Sequence, residues 1–158
     1  MLQIREVTDR DVPAVLDLVG RVLAEFGLEF GRGSPTDDEL HHLPASYRDA
    51  GGMFWVATDG DALLGTCGVS PVAPATFELR KMYLAPASRG RGLGTQLLDT
   101  AITWVRAHGG TRLVLDTVEQ MTRAIAFYEA HGFVRDDAQV RGSRCSRGYV
   151  RDLGSGST

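Results

Sequence analysis

Arg89-Gly90-Arg91-Gly92-Leu93-Gly94 lies between a segment patterned as a strand, Thr76 to Leu84, and one that repeats as an amphipathic helix. In that helix Leu93, Leu97, Leu98, Ala101, Ile102 and Val105 share a face, and Gly109-Gly110 terminate it. Glycines let the backbone approach a ligand closely and turn its N–H groups into one concavity. A helix starting near Gly92 adds the positive end of its dipole, about 0.3–1 kcal/mol toward an anion, and Arg89 and Arg91 add full charges. A pyrophosphate suits such a concavity. On these six residues alone two plainer readings stay open: a tight strand-to-helix corner, or an arginine-glycine repeat of the RNA-contacting kind.

Other nucleotide loops fit less well. A Walker loop needs GxxxxGK[ST], and the chain's single lysine, Lys81, precedes the turn. A dinucleotide fold needs GxGxxG, whereas glycines at 90, 92 and 94 give GxGxG.

Outward from the turn, the chain alternates strands and helices. Leu2 to Val7 forms a first strand. Thr8 or Asp9 caps a helix that carries Pro13 in its opening turns, aligns Val12, Val15, Leu16, Val19, Val22, Leu23 and Phe26, and stops at Gly27. Residues 27–52 form an irregular polar flap, with a short helix signalled by the capping-box pattern Ser34-Pro35-Thr36-Asp37. Met53 to Thr58 and Ala62 to Val69 pair as a hairpin across Asp59-Gly60-Asp61, and Pro71 and Pro74 break the chain before the next strand. A strand over 112–117, a helix over 122–130 and two weaker strands, 133–140 and 144–150, complete the order. One domain is expected over 1–153, with a frayed tail over 154–158.

Composition narrows the partners. The 158 residues suit one core, and 43% hydrophobic with 23% charged is ordinary for a globular chain. No apolar run is long enough to cross a bilayer and the N-terminus has no secretory pattern, so a cytoplasmic protein without a membrane partner is expected. A net charge of -3 argues against nucleic acid. Cys67 and Cys145 lack metal or redox spacing. His41 and His42 point to different sides of a helix and lack HExxH spacing, so no metal is expected. The acidic run Asp37-Asp38-Glu39 is read as complementing a helix N-terminus, with some attraction for a cationic amine.

Arg89 to Gly94 also matches [QR]xxGx[GA], the signature of the GNAT superfamily of N-acetyltransferases. Glu78-Leu79-Arg80-Lys81-Met82-Tyr83-Leu84-Ala85-Pro86 resembles that family's fourth strand. Ala124 to Phe133 resembles its late helix, which ends in a YxxxGF pattern on Tyr128, Gly132 and Phe133. The resemblance implies an α/β (α+β) fold: a mixed, mostly antiparallel sheet of six to seven strands, splayed between strands 4 and 5 and flanked by about four helices. It implies acetyl-CoA as co-substrate, with its pantetheine arm along Met82, Tyr83 and Leu84 and its pyrophosphate on the backbone of Gly90, Arg91, Gly92, Leu93, Gly94 and Thr95 beside Arg89. Many relatives carry asparagine where this chain has Met121, which weakens one expected cofactor contact.

The implied activity is acyl transfer to a primary amine of a small molecule or peptide, by direct attack in a ternary complex. Such a reaction needs a group to take the amine's proton and one to protonate the departing thiolate. Family analogy makes Tyr128 the acid. Glu78, at the start of the fourth strand, is the candidate base through a water. Strict alternation would place Glu78, Arg80 and Met82 on one face and Leu79, Lys81 and Tyr83 on the other. A non-catalytic acyl-CoA-binding module is the alternative. The acceptor's identity is not legible, and a homodimer stays open.

Overall fold

The computed structural model describes residues 1–154, so the expected tail lies outside the described residues except for Gly154. Seven strands form one sheet: β1 (Leu2–Glu6), β2 (Met53–Asp59), β3 (Ala62–Ala73), β4 (Thr76–Leu84), β5 (Arg112–Thr117), β6 (Val134–Arg135) and β7 (Arg147–Asp152). Their spatial order is β1-β2-β3-β4-β5-β7-β6. Every neighbouring pair is antiparallel except β4 with β5. Four α-helices accompany them: α1 (Val12–Glu25), α2 (Ala45–Arg48), α3 (Leu93–Ala107) and α4 (Thr122–Ala130). Among the described residues no helix is long and apolar enough to cross a membrane.

Both faces of the sheet are covered, because its central strands are apolar on both sides. On β2, Trp55 and Ala57 face a core filled by Leu97, Leu98, Ala101 and Val105 of α3, with Ile125 and Tyr128 from α4. Phe54 and Val56 alternate to the other face, against Val15, Val19 and Leu23 of α1 and Tyr47 of α2. Gly68 of β3 lets that second face close. A Cβ there would meet Phe54 Cδ2 at 2.7 Å and Tyr47 Cε2 at 2.9 Å.

Three expectations about element bounds need correction. The Ser34 to Asp37 pattern does not open an α-helix: Asp37–His42 is a 3-10 turn without a side-chain cap, because Asp37 turns inward to ion-pair with Lys81 and Arg144. Pro71 does not break β3. Beyond Val69 that strand outruns β2, and a proline is tolerated in a ribbon with one free edge. The segment 133–140 keeps strand form only over Val134–Arg135. There Asp136 accepts the Ala138 N–H at 3.2 Å and starts a turn over Asp137–Gln139, so the last strand begins at Arg147.

The decisive irregularity is on β4. Thr66 pairs with Tyr83 and Gly68 with Arg80, so Lys81 and Met82 together oppose Cys67. This is a β-bulge, with Lys81 at φ 55. The Thr66 hydroxyl donates to the Lys81 carbonyl at 2.7 Å and compensates that displaced group. The bulge overturns strict alternation. Phe77, Leu79, Met82 and Leu84 pack against the α3 core, while Tyr83 turns with Glu78, Arg80 and Lys81 toward the side of α1 and the flap.

Candidate functional site

The sheet parts in its middle. β4 and β5 pair only at Thr76–Glu78 with Arg112–Val114; beyond this, β5 continues against β7 while β4 runs on to Leu84. A strand edge left unpaired in this way offers backbone donors and acceptors to an amide-bearing ligand. Two cavities open along the gap and share Met82, Tyr83, Met121, Ala124 and Tyr128 on their walls.

The larger cavity, about 700 Å³, is mostly apolar and runs from Met82, Tyr83 and Leu84 to Arg89, Gly90 and Gly94. At its far end Gly92 sits at φ 82 as the residue before α3, a left-handed backbone that suits glycine. Gln96 is the first residue of α3 whose N–H finds a helical acceptor, Gly92 O at 3.1 Å. By helix geometry the N–H groups of Leu93, Gly94 and Thr95 have no intrahelical partner, which makes an anion site of the helix end.

Side chains in this turn divide their duties. Leu93 is buried in the core, so only its backbone can serve a ligand. The Thr95 hydroxyl lies 3.1 Å from His131 Nε2, and His131 Nδ1 lies 2.7 Å from the Phe127 carbonyl. A neutral ring donating from Nδ1 would thus accept from Thr95, tying the end of α4 to the start of α3. Arg89 pairs with both carboxylate oxygens of Glu25 and donates to Leu84 O at 3.1 Å. Arg91 and Arg123 form no ion pair among the described residues, and Arg123 Nη2 would lie 4.0 Å from a Cβ at Gly90. Arg89, Gly90 and Gly94 line the cavity, whereas Arg91, Gly92, Leu93 and Thr95 do not.

The smaller cavity, about 380 Å³, is the more polar of the two, and Glu78 and Tyr128 both line it. Glu78 is the last β4 residue paired to β5 and is 4% exposed. Its Oε1 accepts from Arg80 Nε at 2.5 Å, and Arg80 also donates to Glu39 at 3.1 Å. Glu78 Oε2 lies 3.0 Å from Arg141 Nε, but the contact lacks hydrogen-bond geometry and the oxygen is left without a donor. Beside this group Asp37 holds Lys81 and Arg144, with Arg144 Nη1 2.8 Å from Oδ2, and accepts the Gly31 N–H at 2.7 Å. Burial raises the Asp37 carboxyl, but Arg144 and Lys81 outweigh it and hold the group below the usual carboxylate range. Burial lowers Lys81, only partly offset by Asp37.

Tyr128 stands where the cavities meet. Its ring packs edge-on against Phe133 at 5.5 Å and Phe127 at 5.7 Å, and burial pushes its phenol above the ordinary tyrosine value. The YxxxGF pattern has a structural basis here: Gly132 at φ 85 ends α4, and Phe133 folds back so that its N–H reaches Tyr128 O at 3.1 Å. Cys67 is fully buried and its thiol is pushed up to about 12 by desolvation, which leaves little thiolate for nucleophilic attack.

Sequence reasoning missed Arg80, Lys81, Arg123, Arg141 and Arg144 as cavity-lining residues, and read Asp37 and Glu39 only as part of an acidic run with some attraction for a cationic amine. The acidic run did not signal its burial, because its partners come from distant segments. The flap and the loop before β7 both reach the smaller cavity, through Ser34 and Glu39 and through Arg141 and Arg144.

The family model described as the Acetyltransferase (GNAT) family matches residues 20–133. The chain is 34% identical over 137 residues to the uncharacterized N-acetyltransferase YjgM of Escherichia coli (strain K12), covering 84% of this chain and 82% of the relative. Its fold is similar to an acetyltransferase of the GNAT family from Staphylococcus aureus Mu50, with TM-score 0.86, 22% identity and coverage of 97% and 99% of the two chains. It is also similar to yncA of Salmonella typhimurium, whose structure holds acetyl-CoA, with TM-score 0.76, 20% identity and coverage of 100% and 97%.

Proposed function

The chain belongs to the GNAT acetyltransferase family, and from that premise we propose that it transfers an acetyl group from acetyl-CoA to a primary amine of a small molecule or peptide, by direct attack within a ternary complex. The observation that carries the proposal is the position of Tyr128 on the shared wall of an apolar cavity and a polar one. The residues present fit the donor. The open N–H groups at the start of α3 suit its pyrophosphate, and the free edge of β4 suits the amides of its arm. The apolar wall of the larger cavity suits the rest. When bound, acetyl-CoA supplies an activated acyl carbon with a thiolate as leaving group.

The remaining chemistry falls to the chain's own side chains. Tyr128, kept protonated by burial, donates its proton to the leaving sulfur. Glu78 receives the proton lost by the amine, directly or through one water, at the oxygen that has no donor. Arg80 fixes the orientation of that carboxylate by holding its other oxygen. Arg91 and Arg123 attract the phosphates, while Arg89 braces the turn through Glu25. The buried Cys67 thiol supports a route without an acetylated enzyme.

The test has two steps. Acetyl-CoA at about a hundred times its dissociation constant should stabilise the protein by about 2.7 kcal/mol. An amine library should then release coenzyme A with intersecting initial-rate patterns. Stabilisation without release from any amine would favour a non-catalytic acyl-CoA-binding module; parallel patterns would favour a covalent intermediate.

A further inference from the structure

We infer that the polar cavity selects acceptors that are zwitterions: an amine with a carboxylate on the same small molecule, as in a free amino acid, the amine docking at Glu78 and the carboxylate at Arg141. The inference rests on the transfer reading and names its acceptor class. Glu78 is nine-tenths buried and more, lines the cavity, and is held by Arg80 through one oxygen only. Its Oε2 has no hydrogen-bond donor, and among the described residues only Tyr47 Oη is likewise a fully enclosed side-chain oxygen or nitrogen without a partner. A buried carboxylate oxygen in that state is an acceptor awaiting a donor.

The group that covers it can move. The Arg141 side chain is 48% exposed and touches Glu78 at 3.0 Å without hydrogen-bond alignment. Its backbone, by contrast, is anchored, because the N–H groups of Arg141 and Gly142 donate to Asp116 Oδ2 at 2.7 and 3.0 Å. The guanidinium can therefore swing while the loop stays in place. The other three cations of the cavity are already engaged by hydrogen bonds: Arg80 with Glu78 and Glu39, and Lys81 and Arg144 with Asp37.

Charge then decides the class. Glu78, Glu39, Arg80 and Arg141 form a neutral set of two carboxylates and two guanidinium groups. An ammonium that takes over Glu78 Oε2 displaces Arg141 and leaves one positive charge without a partner at the cavity mouth. An acceptor that carries its own carboxylate restores the balance, exchanging one ion pair for two. A simple amine cannot, and a diamine adds further positive charge. Aligned pairing of Arg141 with a carboxylate would also supply the two-pronged geometry that its contact with Glu78 lacks.

The full-length protein with acetyl-CoA is assayed for coenzyme A release against the free amino acids found in proteins. For the best of these, its methyl ester and its decarboxylated amine are assayed as well. The expected kcat/KM for the acid exceeds that of the ester and of the amine by roughly ten-fold or more, the scale of one charged hydrogen-bonded contact. Arg141→Gln should bring the acid down to the level of the ester, mainly through KM. Arg141→Glu should shift preference toward a diamine. Both variants should keep the thermal shift with acetyl-CoA, which shows that fold and donor site are intact. Equal or better turnover of ester or decarboxylated amine by the natural protein overturns the assignment, as does an Arg141→Gln loss equal for acid and ester. Release with no amine of any kind, despite a thermal shift with acetyl-CoA, overturns the transfer reading itself and this assignment with it.

Discussion

Arg89 and Glu25 form a two-pronged ion pair, Nη1 2.8 Å from Oε1 and Nη2 2.9 Å from Oε2, that joins the turn before α3 to the last residue of α1. The hydrogen bond from Arg89 holds the Glu25 carboxyl below its usual range. Arg89→Ala and Glu25→Ala should each lower stability by about 0.5–1 kcal/mol, because a partly exposed pair is screened by solvent. The double variant should lose less than the sum. Arg91→Ala and Arg123→Ala should instead raise the KM for acetyl-CoA by roughly two- to five-fold each, the effect of one exposed charge, without a change in melting temperature. Thermal melts and initial rates separate the two pairs.

Tyr128→Phe removes the proposed acid and retains the ring contacts with Phe127 and Phe133. Its kcat should fall by roughly 10²–10⁴-fold, the usual range for a positioned acid, with affinity for acetyl-CoA preserved. Because burial raises the phenol, the acid form persists as pH rises. The kcat of the natural protein should show no descending limb up to pH about 9.5. A Tyr128-dependent fall below the ordinary tyrosine value of about 10 would contradict the assignment.

Asp37→Asn would leave Lys81 and Arg144 buried without a counter-charge. Removing one partner of a buried ionic group costs about 3–5 kcal/mol, so chemical denaturation at neutral pH should show a loss of that size. A carboxyl whose folded value is depressed contributes stability above its unfolded value, about 3.9, and loses it as pH falls through the folded value. The natural protein should therefore weaken below pH about 4, and the Asn variant should lack that component of acid sensitivity.

Gly92→Ala forces a Cβ into a backbone at φ 82 although no atom lies within 4 Å. The strain of about 1–2 kcal/mol comes from the conformation and not from a clash. The expected result is a lower melting temperature together with a weaker acetyl-CoA shift, because relief of the strain would rotate the first N–H groups of α3. A variant with unchanged affinity would show that those groups are not used.

Much of the fold was legible because local pattern and global burial agree. The α1 stripe Val15, Val19 and Val22 and the α3 stripe Leu97, Ala101 and Val105 are buried as spacing predicts, and Gly27 and Gly109 take positive φ where the helices end. The glycine turn and the YxxxGF pattern were singled out through resemblance to the family, and in the structure each is a local backbone device, with Gly92 and Gly132 at positive φ. Pairings between distant segments were not legible. Asp37 meets Lys81 across 44 positions and Arg144 across 107, and no local spacing encodes such partners. The bulge was equally hidden, because a period of two cannot announce an inserted residue.

That inserted residue has a consequence for how β4 can change. Ahead of it the apolar side chains are odd-numbered, Phe77 and Leu79; after it they are even-numbered, Met82 and Leu84. Deleting Lys81 would return the strand to simple alternation and leave each of those side chains facing as it does now. Lys81 is thus supernumerary to the packing. It seats a second cation next to Arg80 on the polar wall and turns one peptide out of the ladder, and it displaces no hydrophobic neighbour in doing so. The position can be retuned with the architecture of the sheet left in place, and the chemistry of the smaller cavity can diverge there independently of the core.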